Sequence, residues 1–593
     1  MSQTVGERIL RRLIAWGIPR VYGYPGDGIN GILGGFHAVG DELEFIQTRH
    51  EELASFQACA HAKFTGETGV CMATSGPGAI HLLNGLYDAR LDHQPVVAII
   101  GQQARSSLGA DYQQEVDLIS LYKDVAREFV QVLNVPSQTD LLIDRALRVA
   151  AASRSVTAII VPNDVQELPF EEPPRSHGAV YSSVGYSAPR AVPAATDLDR
   201  AAEVLNAGER VAMLIGQGAI GAAAQVLAVA DRLGAGVAKA LNGKAALPDD
   251  LPFVTGGIGL LGTKPSYDMM EGADTLLMVG TNFPYAEWLP EPGQARCVQI
   301  DIDGRLIGMR YPTEVCLVGD AAATLTELLP RLQPTTDRAW RADIETGVRR
   351  WWEILADRAH QSADPLNPQR VFHELSERLP DRAILTSDSG SATNWWARHV
   401  KVRQDMMCAL SGTLATMCPA VPYGVAAKFA HPDRPVIAAI GDGAMQMVGI
   451  NSLIDVARYQ DRWTNPTFVV CVLHNNDLNQ VTWEQRVMSG DPRLAVSQQL
   501  PDFDYAGYAR LLGLEGIRVD SPEAVGEAWD RGLSAGRPAL LEFITDPEVP
   551  PLPPHIRFEQ AKGMASALAR RDPASAQMVR QALKGKLVEF TNR

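Results

Sequence analysis

An apolar run, Val436-Ile437-Ala438-Ala439-Ile440, ends in Gly441-Asp442-Gly443, and a second, Val472-Leu473-His474, ends in Asn475-Asn476 with Asn476 34 residues beyond Asp442. That interval suits one βαβ crossover. Both polar ends would then lie at the carboxyl edge of one parallel sheet, where ligands of such sheets bind. Asp442 offers a carboxylate and Asn476 an amide oxygen, hard ligands for magnesium or calcium. Gly441 and Gly443 would let a diphosphate approach the backbone near a helix N-terminus. Read alone, these residues fit a plain turn equally well.

Two further segments could carry chemistry. Arg49-His50-Glu51-Glu52 precedes a helix-like stretch, Leu53–Phe64, and then Val70–Ala73 and Thr74-Ser75-Gly76-Pro77-Gly78. Alone, Glu51 could merely cap that helix. Gly216-Gln217-Gly218-Ala219-Ile220-Gly221 follows the apolar run Val211–Ile215 and precedes the periodic stretch Ala222–Leu233, the context in which G-x-G-x-x-G binds a nucleotide. Asp301 and Asp303 close the run Val298–Ile302, where a carboxylate could meet a ribose.

Apolar runs alternate with amphipathic stretches almost throughout, the pattern of parallel α/β units. Thr4-Val5-Gly6-Glu7 reads as a capping box, with Ile9, Leu10, Leu13 and Ile14 on one helical face behind it. Strands are predicted at Val21–Tyr24, Leu43–Gln47, Gly69–Ala73, Pro95–Ile100 and Thr157–Val161. A Pro-rich linker spans 167–195, and strands at Val211–Ile215, Thr275–Val279 and Cys297–Ile302 define a second block. A helical stretch, Trp340–Ala359, leads to a third block with strands at Ala383–Thr386, Pro435–Ile440, Thr467–Leu473 and Ala539–Ile544. The Pro-rich tail from Pro547 is expected to add no core element.

The 593 residues carry a formal net charge of −15, with 46% hydrophobic and 21% charged residues. Such a balance buries large cores and argues against a general nucleic-acid binder, which needs clustered Lys and Arg. No run has the length of a membrane-spanning helix, and the first residues lack the pattern of a secretory signal. The seven cysteines are scattered without a C-x-x-C, as in reduced, mostly buried thiols. A soluble cytoplasmic protein is the expectation.

Arg-His-Glu, Thr-Ser-Gly-Pro-Gly, Gly-Asp-Gly and Asn-Asn occur here in the order and approximate distances of the thiamine diphosphate enzymes, and the chain resembles that family. Gly23-Tyr24-Pro25-Gly26, Asn84–Ala89 and Pro95–Gln102 match as well. From about residue 5 to 563 the chain is most similar to the pyruvate oxidase branch, with acetolactate synthase a close cousin. Pro554–Gly563 is similar to the quinone-linked bacterial pyruvate oxidases in particular.

The resemblance implies an α/β protein of three doubly wound parallel-sheet domains. These are a pyrimidine-binding domain (1–176), a central FAD-binding domain (196–332) and a diphosphate- and metal-binding domain (366–546), followed by a tail (547–593). It implies that Glu51 hydrogen-bonds the aminopyrimidine ring, and that Asp442, Asn476 and the backbone of Leu478 hold Mg2+. Pro25, Gly26, Gly76, Gly441 and Gly443 would line the thiamine diphosphate site, and Met417 would prop the cofactor into its bent form. The glycine usual after that residue is here Cys418, and an insertion around Tyr459–Pro466 lengthens the loop before the metal asparagine.

Gly216, Gly218, Gly221, Thr281, Asn282, Asp301 and Asp303 would bind FAD, though some decarboxylase relatives bind ADP or nothing there. Gln114 and Glu484 would meet the substrate. Gln113 stands where pyruvate oxidases tend to have Phe, so a 2-oxo acid other than pyruvate is open, and Glu484 fits a solvated helix position equally. The implied reaction is oxidative decarboxylation of pyruvate, or a similar 2-oxo acid, to acetate or acetyl phosphate and carbon dioxide, with electrons passed to a quinone or oxygen. The rivals are a carboligase with a structural flavin and a non-oxidative decarboxylase. A catalytically silent homologue leaves the intact Glu51, Asp442 and Asn476 unexplained; a nicotinamide dehydrogenase leaves Glu51 and Gly-Asp-Gly unexplained. The family assembles as a homodimer at least, and a homotetramer is expected. Met578, Val579, Leu583, Leu587, Val588 and Phe590 with Arg580, Lys584 and Lys586 could form a helix that docks on the protein or touches the inner face of the cell membrane.

Overall fold

The computed structural model describes residues 3–581 apart from 552, 554–557, 571 and 573. Three six-stranded parallel sheets, each flanked by helices, form the architecture. The first holds β1 (Arg20–Gly23), β2 (Glu44–Gln47), β3 (Gly69–Ala73), β4 (Val96–Gln102), β5 (Val130–Val132) and β6 (Val156–Pro162), in the order β2-β1-β3-β4-β6-β5. The second holds β7 (Val211–Ile215), β8 (Gly236–Lys239), β9 (Val254–Gly257), β10 (Thr275–Val279), β11 (Arg296–Asp301) and β12 (Val315–Val318), in the order β12-β11-β10-β7-β8-β9. The third holds β13 (Ile384–Ser387), β14 (Met407–Ala409), β15 (Val436–Gly441), β16 (Phe468–His474), β17 (Glu515–Val519) and β18 (Ala539–Ile544), in the order β14-β13-β15-β16-β18-β17. The first and third sheets thus share one topology. The central sheet has the dinucleotide-binding order, with its switch point between β7 and β10.

The fold follows from burial on both faces of each sheet. β3, β4, β6, β7, β10 and β16 are buried at every residue, so their sequences are continuous apolar runs. The first helix, Val5–Ala15, starts as its capping box predicts: the Thr4 side chain accepts the Glu7 N–H at 3.1 Å. Its residues Ile9, Leu10 and Leu13 join a core with Val21, Val70, Val97 and Ile159. Residues 169–194 contain neither helix nor ladder strand, and the Trp- and Arg-rich stretch forms one helix, Ala339–Ala359.

Two compact units emerge. One comprises residues 3–188, 409–438 and 444–466; the other comprises 189–408, 439–443 and the described residues from 467 onward.

The tail corrects the expectation that it adds nothing to a core. Helix Phe558–Ala569 packs on the turn Gln485–Ser489, and Met578 is buried with Trp483 and Val487. Arg486, fully buried, pairs with Glu548 at 2.7 Å and Asp572 at 2.9 Å. Prolines bar strand pairing here, yet they leave the chain free to return as a helix. The expected tail positions from Leu583 to Phe590 lie outside the described residues. No helix among the described residues is long and apolar enough to cross a membrane. None of the seven cysteines forms a disulfide, and five of them are buried.

Candidate active site

In the first unit, the candidate residues gather at the carboxyl edge of the first sheet, around the switch point between β1 and β3. Gly28 N–H donates to Thr74 Oγ1 at 3.0 Å, tying the turn after β1 to the turn after β3. Gly26 packs against Thr74 so closely that an added Cβ would lie 2.5 Å from Thr74 Cβ, while Pro25 is half-buried beside it. Gly76 has φ +58° and faces Gln114, whose Cβ would be 2.8 Å from one added at Gly76. Gln114 itself adopts φ +62°, and its Oε1 accepts the Ser75 hydroxyl at 3.3 Å. Glu115 anchors the same loop by accepting the N–H groups of Gly109 at 2.5 Å and Tyr112 at 3.0 Å, bonds that hold its carboxyl below the usual range.

Glu51 opens helix Glu51–Thr65 with His50 as its N-cap, and is 8% exposed. A Cβ added at Gly78 would lie 3.2 Å from Glu51 Oε1 and 2.7 Å from Thr74 Cγ2, so any side chain there would crowd that oxygen. Met417 lies half-buried in the loop after β14. Asp92 holds that loop by accepting the N–H groups of Gly412 at 2.9 Å and Thr413 at 2.8 Å, and Asn84 donates to Thr416 Oγ1 at 3.0 Å. Burial alone would raise the Asp92 carboxyl, but the Lys63 ammonium 2.7 Å away outweighs it and holds it below the usual value. Cys418 has φ +85°, which explains why glycine would be the easier residue there.

In the second unit, Asp442 follows β15 and Asn476 follows β16, neighbours in the sheet as the spacing predicted. Asp442 Oδ2 accepts the N–H of Asn475 at 2.8 Å and of Asn476 at 2.6 Å, and Oδ1 that of Gly443 at 2.9 Å. A carboxylate has about four lone-pair sites, so one remains for a cation. Burial pushes this carboxyl up to about 6 against the pull of those three N–H groups. Asn476 adopts φ +55°, and its Oδ1 lies 2.7 Å from His474 Nε2. His474 Nδ1 in turn lies 2.7 Å from Glu542 Oε1, which also accepts from Arg518 at 2.7 Å. Burial would lower the His474 imidazole, but Glu542 and Asn476 outweigh it and hold it above its usual value. The Leu478 carbonyl accepts the Thr482 N–H at 3.0 Å and keeps a second lone pair. Carboxylate, amide oxygen and carbonyl form a hard-oxygen donor set that fits Mg2+. At Gly441 an added Cβ would meet nothing within 4 Å, which leaves the backbone open to a bulky ligand.

Glu484 is exposed on helix Asn479–Glu484, where its Oε1 accepts from Gln480 at 2.9 Å, and Gln480 accepts from Asn394 at 2.6 Å. At the central switch point, a Cβ at Gly218 would lie 2.7 Å from Gly280 Cα, and one at Gly243 2.7 Å from Gly216 Cα. Gly221 has φ +91° with open space around it. Thr281, 4% exposed, has a buried hydroxyl with no partner, the kind of orphan a bound nucleotide would satisfy. Asn282 accepts from Arg310 at 3.0 Å, Asp301 accepts the Asp303 N–H at 2.9 Å, and Asp303 pairs with Arg305 at 2.8 Å.

Sequence reasoning missed His81, His474, Glu542 and the Lys63–Asp92 pair. Glu542 carried a signal: it is the one charged residue in the apolar run Ala539–Ile544.

Sequence models of the thiamine pyrophosphate enzymes match the chain three times in order: the N-terminal TPP binding domain over residues 3–121, the central domain over 198–328 and the C-terminal TPP binding domain over 388–543. The chain belongs to the thiamine pyrophosphate enzyme family. Among its relatives is the Bacillus subtilis "putative thiamine pyrophosphate-containing protein YdaP", 36% identical over 568 residues and covering 96% of both chains. The pyruvate oxidase of Lactiplantibacillus plantarum is 29% identical over 568 residues, covering 95% of this chain and 92% of its own. A "probable acetolactate synthase large subunit" of Methanocaldococcus jannaschii is 30% identical over 576 residues, covering 93% and 94%.

Proposed function

We propose that this thiamine pyrophosphate enzyme oxidatively decarboxylates pyruvate or a similar 2-oxo acid, and passes the electrons through FAD to a quinone or oxygen. The observation that carries the reading is the Asp442–Asn476 donor set at the ends of two neighbouring strands; in the other unit, the buried Glu51 at the start of its helix supports it. Thiamine diphosphate supplies, when bound, the carbon nucleophile and electron sink for decarboxylation, and FAD the two-electron acceptor.

The residues of the chain have separate tasks in this reading. Glu51 shares a proton with the aminopyrimidine ring. Asp442, Asn476 and the Leu478 carbonyl hold Mg2+, while Gly441 and Gly443 give the diphosphate access to the backbone. Pro25, Gly26 and Gly76 would line the thiamine diphosphate site, and Met417 would support the cofactor. Gln114 and Glu484 orient the substrate. Gly216, Gly218, Gly221, Thr281, Asn282, Asp301 and Asp303 hold FAD; the orphan Thr281 hydroxyl and the dinucleotide strand order support this.

Replacing Glu51 by Gln is expected to leave cofactor binding nearly intact and remove most turnover; wild-type turnover in that variant contradicts the assignment. The second reading is a carboligase with a structural flavin, favoured by the acetolactate synthase relative, and formation of acetolactate from pyruvate distinguishes it. A homodimer or homotetramer is part of the proposal. Tyr24, Ile80, Leu108 and Tyr112 are all more than a third exposed near the edge that carries Glu51, an apolar surface suited to a second copy. Peripheral membrane contact through the tail is retained only for its last residues, because Met578 packs inward. Unchanged liposome association after truncation at Gly563 would end that idea.

A further inference from the structure

The Glu51 carboxylate has a neighbour that the family comparison does not assign. His81, the last residue of helix Pro77–His81, sets Nδ1 3.0 Å from Glu51 Oε2. The His50 ring stacks on the His81 ring with centroids 4.5 Å apart and 29° between planes. His50 is itself fixed, since its Nδ1 accepts the Glu52 N–H at 3.2 Å as the helix N-cap. The two oxygens of Glu51 therefore have different surroundings. Oε2 faces an imidazole stacked on a second ring, while Oε1 lies on the side of Gly78, where an added Cβ would come within 3.2 Å of it.

We propose that His81 is a positioning residue for Glu51: its Nδ1–H donates to Oε2, fixes the carboxyl plane and leaves Oε1 as the single oxygen offered to the aminopyrimidine. The inference rests on the reading of Glu51 given above. A carboxylate with two equivalent free oxygens could rotate and divide its proton affinity between them. A donor on Oε2 removes that freedom, and a hydrogen bond to a charged group is about twice as strong as a neutral one. No proton is consumed: the His81 proton stays on Nδ1, and the shared proton moves only between Oε1 and the ring nitrogen. The side chain of His81 is 42% exposed, so its replacement removes little packing.

The test uses the full chain reconstituted with thiamine diphosphate and Mg2+, without substrate, and compares His81→Phe, His81→Asn and Glu51→Gln. Phe keeps a ring for the stack on His50 but has no donor, whereas the Asn amide puts an N–H close to the position of Nδ1. Two quantities are read: cofactor affinity from quenching of tryptophan fluorescence, and the rate at which the cofactor C2 proton exchanges for deuterium. His81→Phe is expected to bind the cofactor within about twofold of wild type and to slow exchange about tenfold, with His81→Asn recovering most of the rate. Wild-type exchange in His81→Phe, or equal slowing in the Phe and Asn variants, overturns the proposal. Wild-type exchange in Glu51→Gln overturns the reading of Glu51 and this inference with it. Slow exchange in Glu51→Gln beside wild-type exchange in His81→Phe overturns the inference alone.

Discussion

Asp442 and Asn476 meet through the backbone: the Asn476 N–H donates to Asp442 Oδ2 at 2.6 Å, so the carboxylate shapes the turn that carries the second oxygen donor. Asp442→Ala removes the acceptor for three N–H groups, and each buried group left unpaired costs about 1–3 kcal/mol. Calorimetry is expected to find Mg2+ and cofactor affinity lost together and the stability lowered. Asp442→Asn should keep more of the stability and still lose the metal. Undisturbed Mg2+ binding in the Ala variant would move the metal elsewhere.

His474 holds the Asn476 amide oxygen from behind, braced by the buried Glu542. Partners that orient a metal ligand are worth about 10- to 100-fold in affinity. His474→Phe should weaken Mg2+ by that order while leaving the fold intact by circular dichroism. Wild-type affinity would show that the Asn476 amide needs no support.

Metal binding should depend on pH through Asp442. Its carboxyl is pushed up to about 6 by burial in the metal-free protein, above the ~3.9 of an unfolded chain. Between those values the folded state binds more protons than the unfolded state. This group therefore costs the metal-free protein most stability above about pH 6, and the cost shrinks as the pH falls towards 4. Mg2+ needs the carboxylate, so its affinity runs the other way and declines as pH drops through 6. The melting-temperature rise caused by Mg2+ should be large near pH ~7.5 and small near pH ~5. A rise independent of pH contradicts the assignment of Asp442.

The central domain has its own test. A Cβ at Gly218 would lie 2.7 Å from Gly280 Cα, so Gly218→Ala must push apart the two turns at the switch point. The variant should lose bound flavin, read as visible absorbance of the purified protein, while retaining thiamine diphosphate. Equal flavin content in both proteins would remove the G-x-G-x-x-G turn from the site.

Arg486 ties the segment beyond the Asn475-Asn476 turn to the tail through Glu548 and Asp572. Arg486→Met leaves two carboxylates without their cation, and breaking such a buried pair costs about 3–5 kcal/mol. Urea denaturation should register that loss, with the tail becoming sensitive to protease; an unchanged midpoint would make the cluster energetically neutral.

The parallel α/β architecture was legible because twelve strands are apolar runs whose ends fall within two residues of their predicted positions. Six strands escaped: β5, β8, β9, β12, β14 and β17. All are short, and Val130-Gln131-Val132 or Glu515–Val519 expose part of their length, so their sequences lack a long apolar run. The placement of Asp442 and Asn476 after strands and of Glu51 at a helix start could be read because each lies in a recurrent motif. The contacts of His81 and His474 could not, because they arise from side chains brought together from different elements. The tail misled because its prolines mark the absence of a strand, and a helix packed by Gly563 on Val487 leaves no such mark.

The central claim is that thiamine-dependent decarboxylation feeds electrons to a flavin. The most direct measurement is an anaerobic visible spectrum of the purified protein with thiamine diphosphate and Mg2+, before and after pyruvate or another 2-oxo acid. A yellow protein that bleaches on adding the acid is the predicted result. A colourless protein that takes up no added FAD, or a yellow one that stays yellow with every 2-oxo acid while acetolactate accumulates, contradicts it.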